Sequence, residues 1–178
     1  MKKLSLSVLA LATLLTLSAC NAAEKEQKAS SESTAASIAS SASEVRVEDP
    51  QTAGEKFLSQ NKTAAGVHTT ASGLQYKINH EGNGKSPKAT DMVTVEYEGR
   101  LIDGTVFDGT APHNNKPATF PLNGVIPGWT EGLQLMKEGS SYTFYIPADL
   151  AYGNQSPASI IPANSTLIFD VKLIKVGE

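Results

Sequence analysis

Pro127-Gly128-Trp129-Thr130-Glu131-Gly132-Leu133-Gln134-Leu135-Met136 is the one stretch in the second half of the chain that reads as a helix. Proline stands in its first turn, Trp129, Leu133 and Met136 fall on one side, and Gly139 lies just past the end. The segments around it are patterned for strands. Leu74-Gln75-Tyr76-Lys77-Ile78 alternates apolar and polar, and Val93-Thr94-Val95-Glu96-Tyr97 continues the alternation to Leu101 with the odd positions apolar. Asp103-Gly104 supplies a turn of the kind that two-residue hairpins prefer. Tyr142-Thr143-Phe144-Tyr145-Ile146 is a further strand stopped by Pro147, and Thr166 to Val176 places Leu167, Phe169, Val171 and Leu173 on a single face. Strands with one apolar face need a cover, and one short helix is available to provide it. The expected fold is α+β, a twisted antiparallel β-sheet wrapped around one short α-helix.

The composition agrees with that reading. The 178 residues are 40% hydrophobic and 19% charged, enough for one ordinary domain with chain left over at one end. The 14 Gly and 9 Pro fall nearly all after residue 50, which favours short strands and turns over long helices. The formal charge of −3 comes without a Lys/Arg-rich run, so a nucleic-acid partner is excluded. The single cysteine, Cys20, rules out a disulfide framework and a thiolate-rich metal site. Before the sheet, Asp49-Pro50 starts a short helix carrying Ala53, Phe57 and Leu58 and ending before Gly66.

Towards the N-terminus the chain reads as an address. Met1-Lys2-Lys3 is basic, and Leu4 to Leu17 is mostly apolar but too short to cross a bilayer comfortably. The run ends in Leu17-Ser18-Ala19-Cys20, which resembles the bacterial lipobox, where cleavage leaves cysteine first and a diacylglycerol on its sulfur. Residues 1–19 are then a lipoprotein signal peptide, Cys20 is the lipidated residue, and loss of Lys2 and Lys3 takes the charge from −3 to −5. Asn21, rather than Asp, resembles the outer-membrane class of such lipoproteins. Between Ala29 and Ser43, 12 of 15 residues are Ala or Ser, and Ile38 is the only large apolar group. Such a segment buries too little to offset its ordering entropy. Residues 20–48 are therefore expected to be a disordered tether, 49–72 a short helical arm, and 73–178 the folded domain.

Several familiar sites fail on spacing. Gly84-Lys85-Ser86 lacks the P-loop glycine five positions earlier, where Asn79 stands. His68, His80 and His113 have neither i,i+4 spacing nor neighbouring cysteines, so zinc ligation would depend on long-range folding alone. No Gly-x-Ser-x-Gly elbow occurs, and the one thiol lies in the leader region, so covalent catalysis has no evident nucleophile. What the chain does have is aromatic and branched aliphatic material beside turn residues, in Val106-Phe107-Asp108, Val125-Ile126-Pro127-Gly128-Trp129, Leu150-Ala151-Tyr152-Gly153 and Ile160-Ile161-Pro162.

Four segments, in order, then resemble the signatures of the FKBP-type peptidyl-prolyl cis/trans isomerases, particularly their secreted Mip-like bacterial branch. They are Val95-Glu96-Tyr97-Glu98-Gly99, Asp103 to Asp108, Gly124 to Gly132, and Thr166 to Val171. The resemblance runs from about Gly73 to Lys175. It implies a proline pocket with Trp129 as floor, Tyr97, Phe107 and Phe169 as walls, and Val125 and Ile126 at the entrance to the helix. Tyr152, Ile160 and Ile161 complete the implied rim, and Asp108 is the carboxylate at its edge. Trp129, between Gly128 and Gly132, is expected to have open space over its ring. Two positions depart: Ala118 stands where many members carry an aromatic wall, and Pro157 where some carry a rim histidine.

The resemblance implies rotation about X–Pro bonds by Asp108, Tyr152, Trp129 and Phe107, with no cofactor and no metal. The implied partners are proline-containing exported polypeptides and, through lipid on Cys20, a membrane. Mip-like relatives that dimerise use a long helical N-terminal domain; here only Asp49 to Ala65 reads as helix, so a monomer is expected. A non-catalytic proline-peptide-binding chaperone module on the same fold is the alternative reading.

Overall fold

A computed structural model of the chain describes residues 48–177. The residues expected to form the leader, Cys20 and nearly all of the expected tether lie outside the described residues. The order of elements is α1 (Pro50–Asn61), β1 (Val67–Thr69), β2 (Gln75–His80), β3 (Met92–Leu101), β4 (Val106–Gly109), β5 (Ala118–Pro121), α2 (Pro127–Gln134), β6 (Ser141–Ile146) and β7 (Leu167–Val176). The seven strands form one antiparallel sheet in the order β1-β2-β6-β7-β3-β4, with β5 paired to the first half of β3. β3 is the spine. One edge of it pairs β7 along its whole length, while the other pairs β5 from Met92 to Val95 and β4 from Glu98 to Arg100.

The expected α+β architecture is what the chain adopts. On the inner face Val93, Val95, Tyr142, Phe144, Ile146, Leu167, Phe169, Val171 and Leu173 close over Trp129, Leu133 and Met136, all with 4% or less of their surface exposed. Burying such side chains contributes roughly 1.5–3 kcal/mol each, which is what holds a helix as short as α2 in place. α2 lies flat on β6 because two of its residues lack side chains. A Cβ on Gly132 would stand 2.6 Å from the Phe144 ring, and one on Gly128 would stand 2.5 Å from Ile146 Cγ2.

α1 sits on the opposite face of the sheet. Asp49 caps it, accepting from Gln51 N at 3.0 Å and Thr52 N at 3.2 Å. The Thr52 hydroxyl also bonds this carboxylate, and these hydrogen bonds hold its pKa below the ordinary value. Phe57 packs on Tyr145 with ring centroids 5.9 Å apart. Gln75, buried, donates to Leu58 O at 2.9 Å and accepts from Asn61 at 2.9 Å.

Three details differ from the sequence expectation. The β3–β4 turn has three loop residues, since Gly104 N donates to Leu101 O at 3.0 Å and Leu101 N to Thr105 O at 2.9 Å. Gly104 takes φ +89° there, the left-handed position that closes a three-residue hairpin, while Asp103 accepts from Thr105 N at 2.8 Å. α2 ends at Gln134, and Leu135 and Met136 close in tighter i→i+3 turns. In β7, Lys175 pairs Thr94 and Leu173 pairs Val95, so Ile174 is a bulge residue. The bulge resets the pleat, which is why Val176 rather than Lys175 is buried.

Candidate functional site

β3, β4, β5, β7, the first turn of α2 and the loop after β6 converge on a cavity of about 270 Å³. Trp129, only 4% exposed, forms its floor. The rings of Tyr97, Phe169 and Phe120 stand around the indole at centroid distances of 5.1, 5.3 and 5.9 Å and interplanar angles of 82–89°. Phe107 meets Phe169 edge to face at 5.5 Å. Such edge-to-face pairs each add about 0.5–1.5 kcal/mol beyond burial, so the walls fix one another. The indole Nε1 is buried and has no hydrogen-bond partner among the described residues, so its N–H is an unsatisfied donor at the floor.

Two local features build the wall. Gly99 on β3 has no side chain where Phe107 and Phe169 meet; a Cβ would stand 2.6 Å from the Phe169 ring and 2.8 Å from the Phe107 ring. β4 carries a bulge, for Gly99 pairs Asp108 while Arg100 pairs Val106 and Phe107 has no partner. The extra residue interrupts the alternation, and Phe107 and Asp108 both line the cavity. Thr110 anchors the far end of this strand by its N–H to Tyr97 O at 2.9 Å, and it accepts from Tyr97 N at 3.3 Å.

The polar groups gather on the open side. The Tyr97 hydroxyl donates to Asp108 Oδ2 at 2.7 Å, and the Gly109 N–H donates to Asp108 Oδ1 at 2.8 Å. Burial pushes the Tyr97 phenol well above its ordinary value, and the hydrogen bond and charge of Asp108 push it further. Tyr152 is raised first by burial and then by the Asp108 charge. Both phenols stay protonated at neutral pH, so each hydroxyl carries a proton to donate, and that of Tyr97 goes to Asp108. Ile126 lines the cavity, and its N–H forms no hydrogen bond among the described residues.

Tyr97, Phe107, Asp108, Val125, Ile126, Trp129, Tyr152 and Phe169 are thus together in one cavity. Ile160 and Ile161 are not among its lining. Ala158 pairs Ile161 across a tight turn closed by the Ser156 hydroxyl, which donates to Ile161 O at 2.7 Å. Ile161 points into the core at 6% exposure, and Ile160 stands at the tip at 43%. The space over Trp129 does not come from its glycines, which are filled by Ile146 and Phe144; it is the cavity itself. Nor does Ala118 leave a wall missing. Phe120, two residues on and so on the same face of β5, supplies an aromatic ring. The alternation Ala118-Thr119-Phe120 is the signal by which the sequence offered it. A second cavity of about 210 Å³, beside α1, is lined by Pro50, Ala53, Leu101, Ile102 and Pro162 among others and has no aromatic ring.

The cavity is thus lined by aromatic rings and aliphatic side chains with one carboxylate, and it is set in a sheet folded over a short helix. Residues 83–174 match the family model described as FKBP-type peptidyl-prolyl cis-trans isomerase, and residues 8–78 match the domain amino-terminal to such isomerases. The chain belongs to the FKBP-type peptidyl-prolyl cis-trans isomerase family. It is 62% identical over 124 residues to a probable FKBP-type peptidyl-prolyl cis-trans isomerase FkpA of Neisseria meningitidis, covering 70% of this chain and 45% of that one. It is 53% identical over 133 residues to the outer membrane protein MIP of Legionella longbeachae, covering 75% and 57%. Among solved structures, FkpA from Escherichia coli superposes with a TM-score of 0.69 at 43% identity, covering 72% and 60%. A peptidyl-prolyl cis-trans isomerase of Pseudomonas syringae pv. tomato superposes with a TM-score of 0.68 at 35% identity, covering 72% of this chain and 94% of that one. The chain spans about half the length of the curated relatives it matches.

Proposed function

We propose that the chain is a peptidyl-prolyl cis/trans isomerase that rotates X–Pro bonds in exported polypeptides. The observation that carries this is the carboxylate of Asp108, held by Tyr97 at the mouth of a cavity walled mainly with aromatic rings, together with Val125 and Ile126. Rotation of an X–Pro amide meets a barrier of roughly 18–20 kcal/mol because resonance must be broken. No nucleophile and no cofactor are needed. The planar amide is the more polar state and is better solvated by water; the twisted amide has lost that charge separation, so an apolar cavity favours it. The proline ring would lie over Trp129, the Ile126 N–H would anchor a substrate carbonyl, and the Tyr152 hydroxyl would hold a second acceptor. Asp108 would face the turning carbonyl and orient it electrostatically, while Phe107 closes the side.

The envelope is the setting that fits. One relative is named an outer membrane protein, and Leu17-Ser18-Ala19-Cys20 supplies a lipid attachment site after the apolar run. We assign residues 1–19 as leader, lipid to Cys20, 20–48 as tether and 49–72 as the helical arm of a monomer, with the domain facing the periplasm or the cell surface.

The test is exchange NMR on a short peptide with one X–Pro bond. Faster cis/trans exchange at catalytic amounts of protein is the expected result. Chemical-shift changes without faster exchange would replace the isomerase by a proline-binding module.

A further inference from the structure

The cavity is continued beyond Val125. That residue is also one wall of a shallow groove along the outer face of α2, bounded further by Asn123, Pro127, Thr130, Glu131 and Gln134. The four helical members are spaced i, i+3, i+4 and i+7, so they form one stripe. Two of their polar side chains are already committed: the Thr130 hydroxyl donates to Leu122 O at 2.7 Å, and the Gln134 amide donates to Thr130 O at 2.6 Å. Glu131 differs. Its Oε2 accepts from the Ser72 hydroxyl at 2.6 Å, which fixes the half-buried side chain, but no Lys or Arg pairs with it among the described residues. Other acids, among them Glu55, Asp108 and Glu138, also lack such a partner among the described residues, but Glu131 is the one charged residue in the lining of this groove.

We propose that this groove receives the polypeptide flanking the target proline and that Glu131 selects Lys or Arg two to four residues from it. The inference rests on reading the cavity as the X–Pro site. From Val125 to Glu131 the chain takes two extended steps and four helical ones, roughly 12 Å. A peptide leaving the cavity over Val125 advances about 3.3 Å per residue and draws level with Glu131 after roughly three or four residues. A long cationic side chain reaches it from one residue short. The competing role for Glu131 is to fasten the β1–β2 turn through Ser72. Glu131→Gln separates the two, because a Gln oxygen still accepts from Ser72 while the charge is gone.

The experiment uses the full chain and a set of short peptides around one Ala–Pro bond, with a single Lys or Glu moved stepwise along either flank and an uncharged reference. Isomerisation is read by exchange NMR, and binding by the amide shifts of Thr130, Glu131 and Gln134. The expected result is a kcat/KM about two- to fivefold higher for Lys than for Glu, at two to four residues on one side of proline and weakening with salt. That ratio falls to one in Glu131→Gln and persists in Ser72→Ala. A flat position scan, a Lys preference that survives Glu131→Gln, or one lost in Ser72→Ala overturns the proposal. An uncharged reference that is not turned over sinks the isomerase reading instead. The Lys dependence of binding at α2 then still decides the groove.

Discussion

Phe107 and Asp108 are consecutive on β4, yet both face the same cavity, because Phe107 is the unpaired residue of a bulge opposite Gly99 and Arg100. A regular strand would send the ring to one face and the carboxylate to the other. The bulge puts an apolar wall and a charge side by side, as the proposed rotation of an amide would use them.

Asp108 is exposed, so its replacement leaves the core intact. Asp108→Leu is expected to remain folded and to lose about ten- to a hundredfold in kcat/KM, a transition-state loss of roughly 1.4–2.7 kcal/mol. Peptide exchange NMR with melting followed in parallel makes the check. Full activity in the folded variant would leave rotation to the walls and Tyr152.

Alkaline stability should depend on Tyr97. Its folded pKa is raised above the ordinary 10.0 by burial and by Asp108, so the native state holds the proton more tightly than the unfolded chain. The stability this contributes is complete below pH about 10 and is lost as pH rises further. Tyr142, Tyr145 and Tyr152 are raised in the same direction, first by burial. The melting temperature should therefore be flat to about pH 9 and fall steeply above 10. In Tyr97→Phe the fall should be shallower by one proton's share, and an unchanged slope would contradict the assignment.

Gly132 sets helix propensity against packing. Alanine in a helix gains roughly 0.5–1 kcal/mol over glycine, but here its Cβ would meet the Phe144 ring at 2.6 Å, and overpacking costs about 1–3 kcal/mol. Gly132→Ala should lower the melting temperature by several degrees. A rise would mean that Phe144 has room to move.

The sequence was most legible where periodicity ran long. β3 and the first half of β7 alternate over enough residues to fix their inner faces, and Asp49-Pro50 and Pro127 mark both helix starts. β1, β4 and β5 are three or four residues each, too short to carry a period, and their place comes from pairing with longer neighbours. The bulges at Phe107 and Ile174 depend on strand register, which no local pattern states. Of the cavity lining, Phe120 stands in a strand of four residues, too short for its alternation to mark a face, and Gly124 reads as part of a turn. Gly99 closes the segment Val95-Glu96-Tyr97-Glu98-Gly99, but its use as space for two rings is visible only once Phe107 and Phe169 meet over it.

The anchor can be tested apart from the fold. Cys20→Ser in the producing cell should abolish acyl labelling and move the protein from the membrane to the soluble fraction, since one acyl chain alone gives only marginal binding and the lipid reading supplies more. Unchanged membrane association would mean a retained leader or another anchor.

A fragment from residue 49 should sediment as a monomer at all concentrations tried, because its only helix outside the domain interior, α1, already packs Phe57 on Tyr145 and Leu58 beside Gln75. A dimer independent of concentration would overturn this.

The chain's only tryptophan is also the floor of the cavity, with its indole nitrogen shielded from both water and protein acceptors. The molecule therefore carries a built-in optical gauge. Its ultraviolet emission should be blue-shifted when the domain is folded and red-shifted on unfolding, and it should change when a ring system settles on the indole. Occupancy of the site can be titrated in unlabelled protein, with no second fluorophore to subtract beyond the tyrosines.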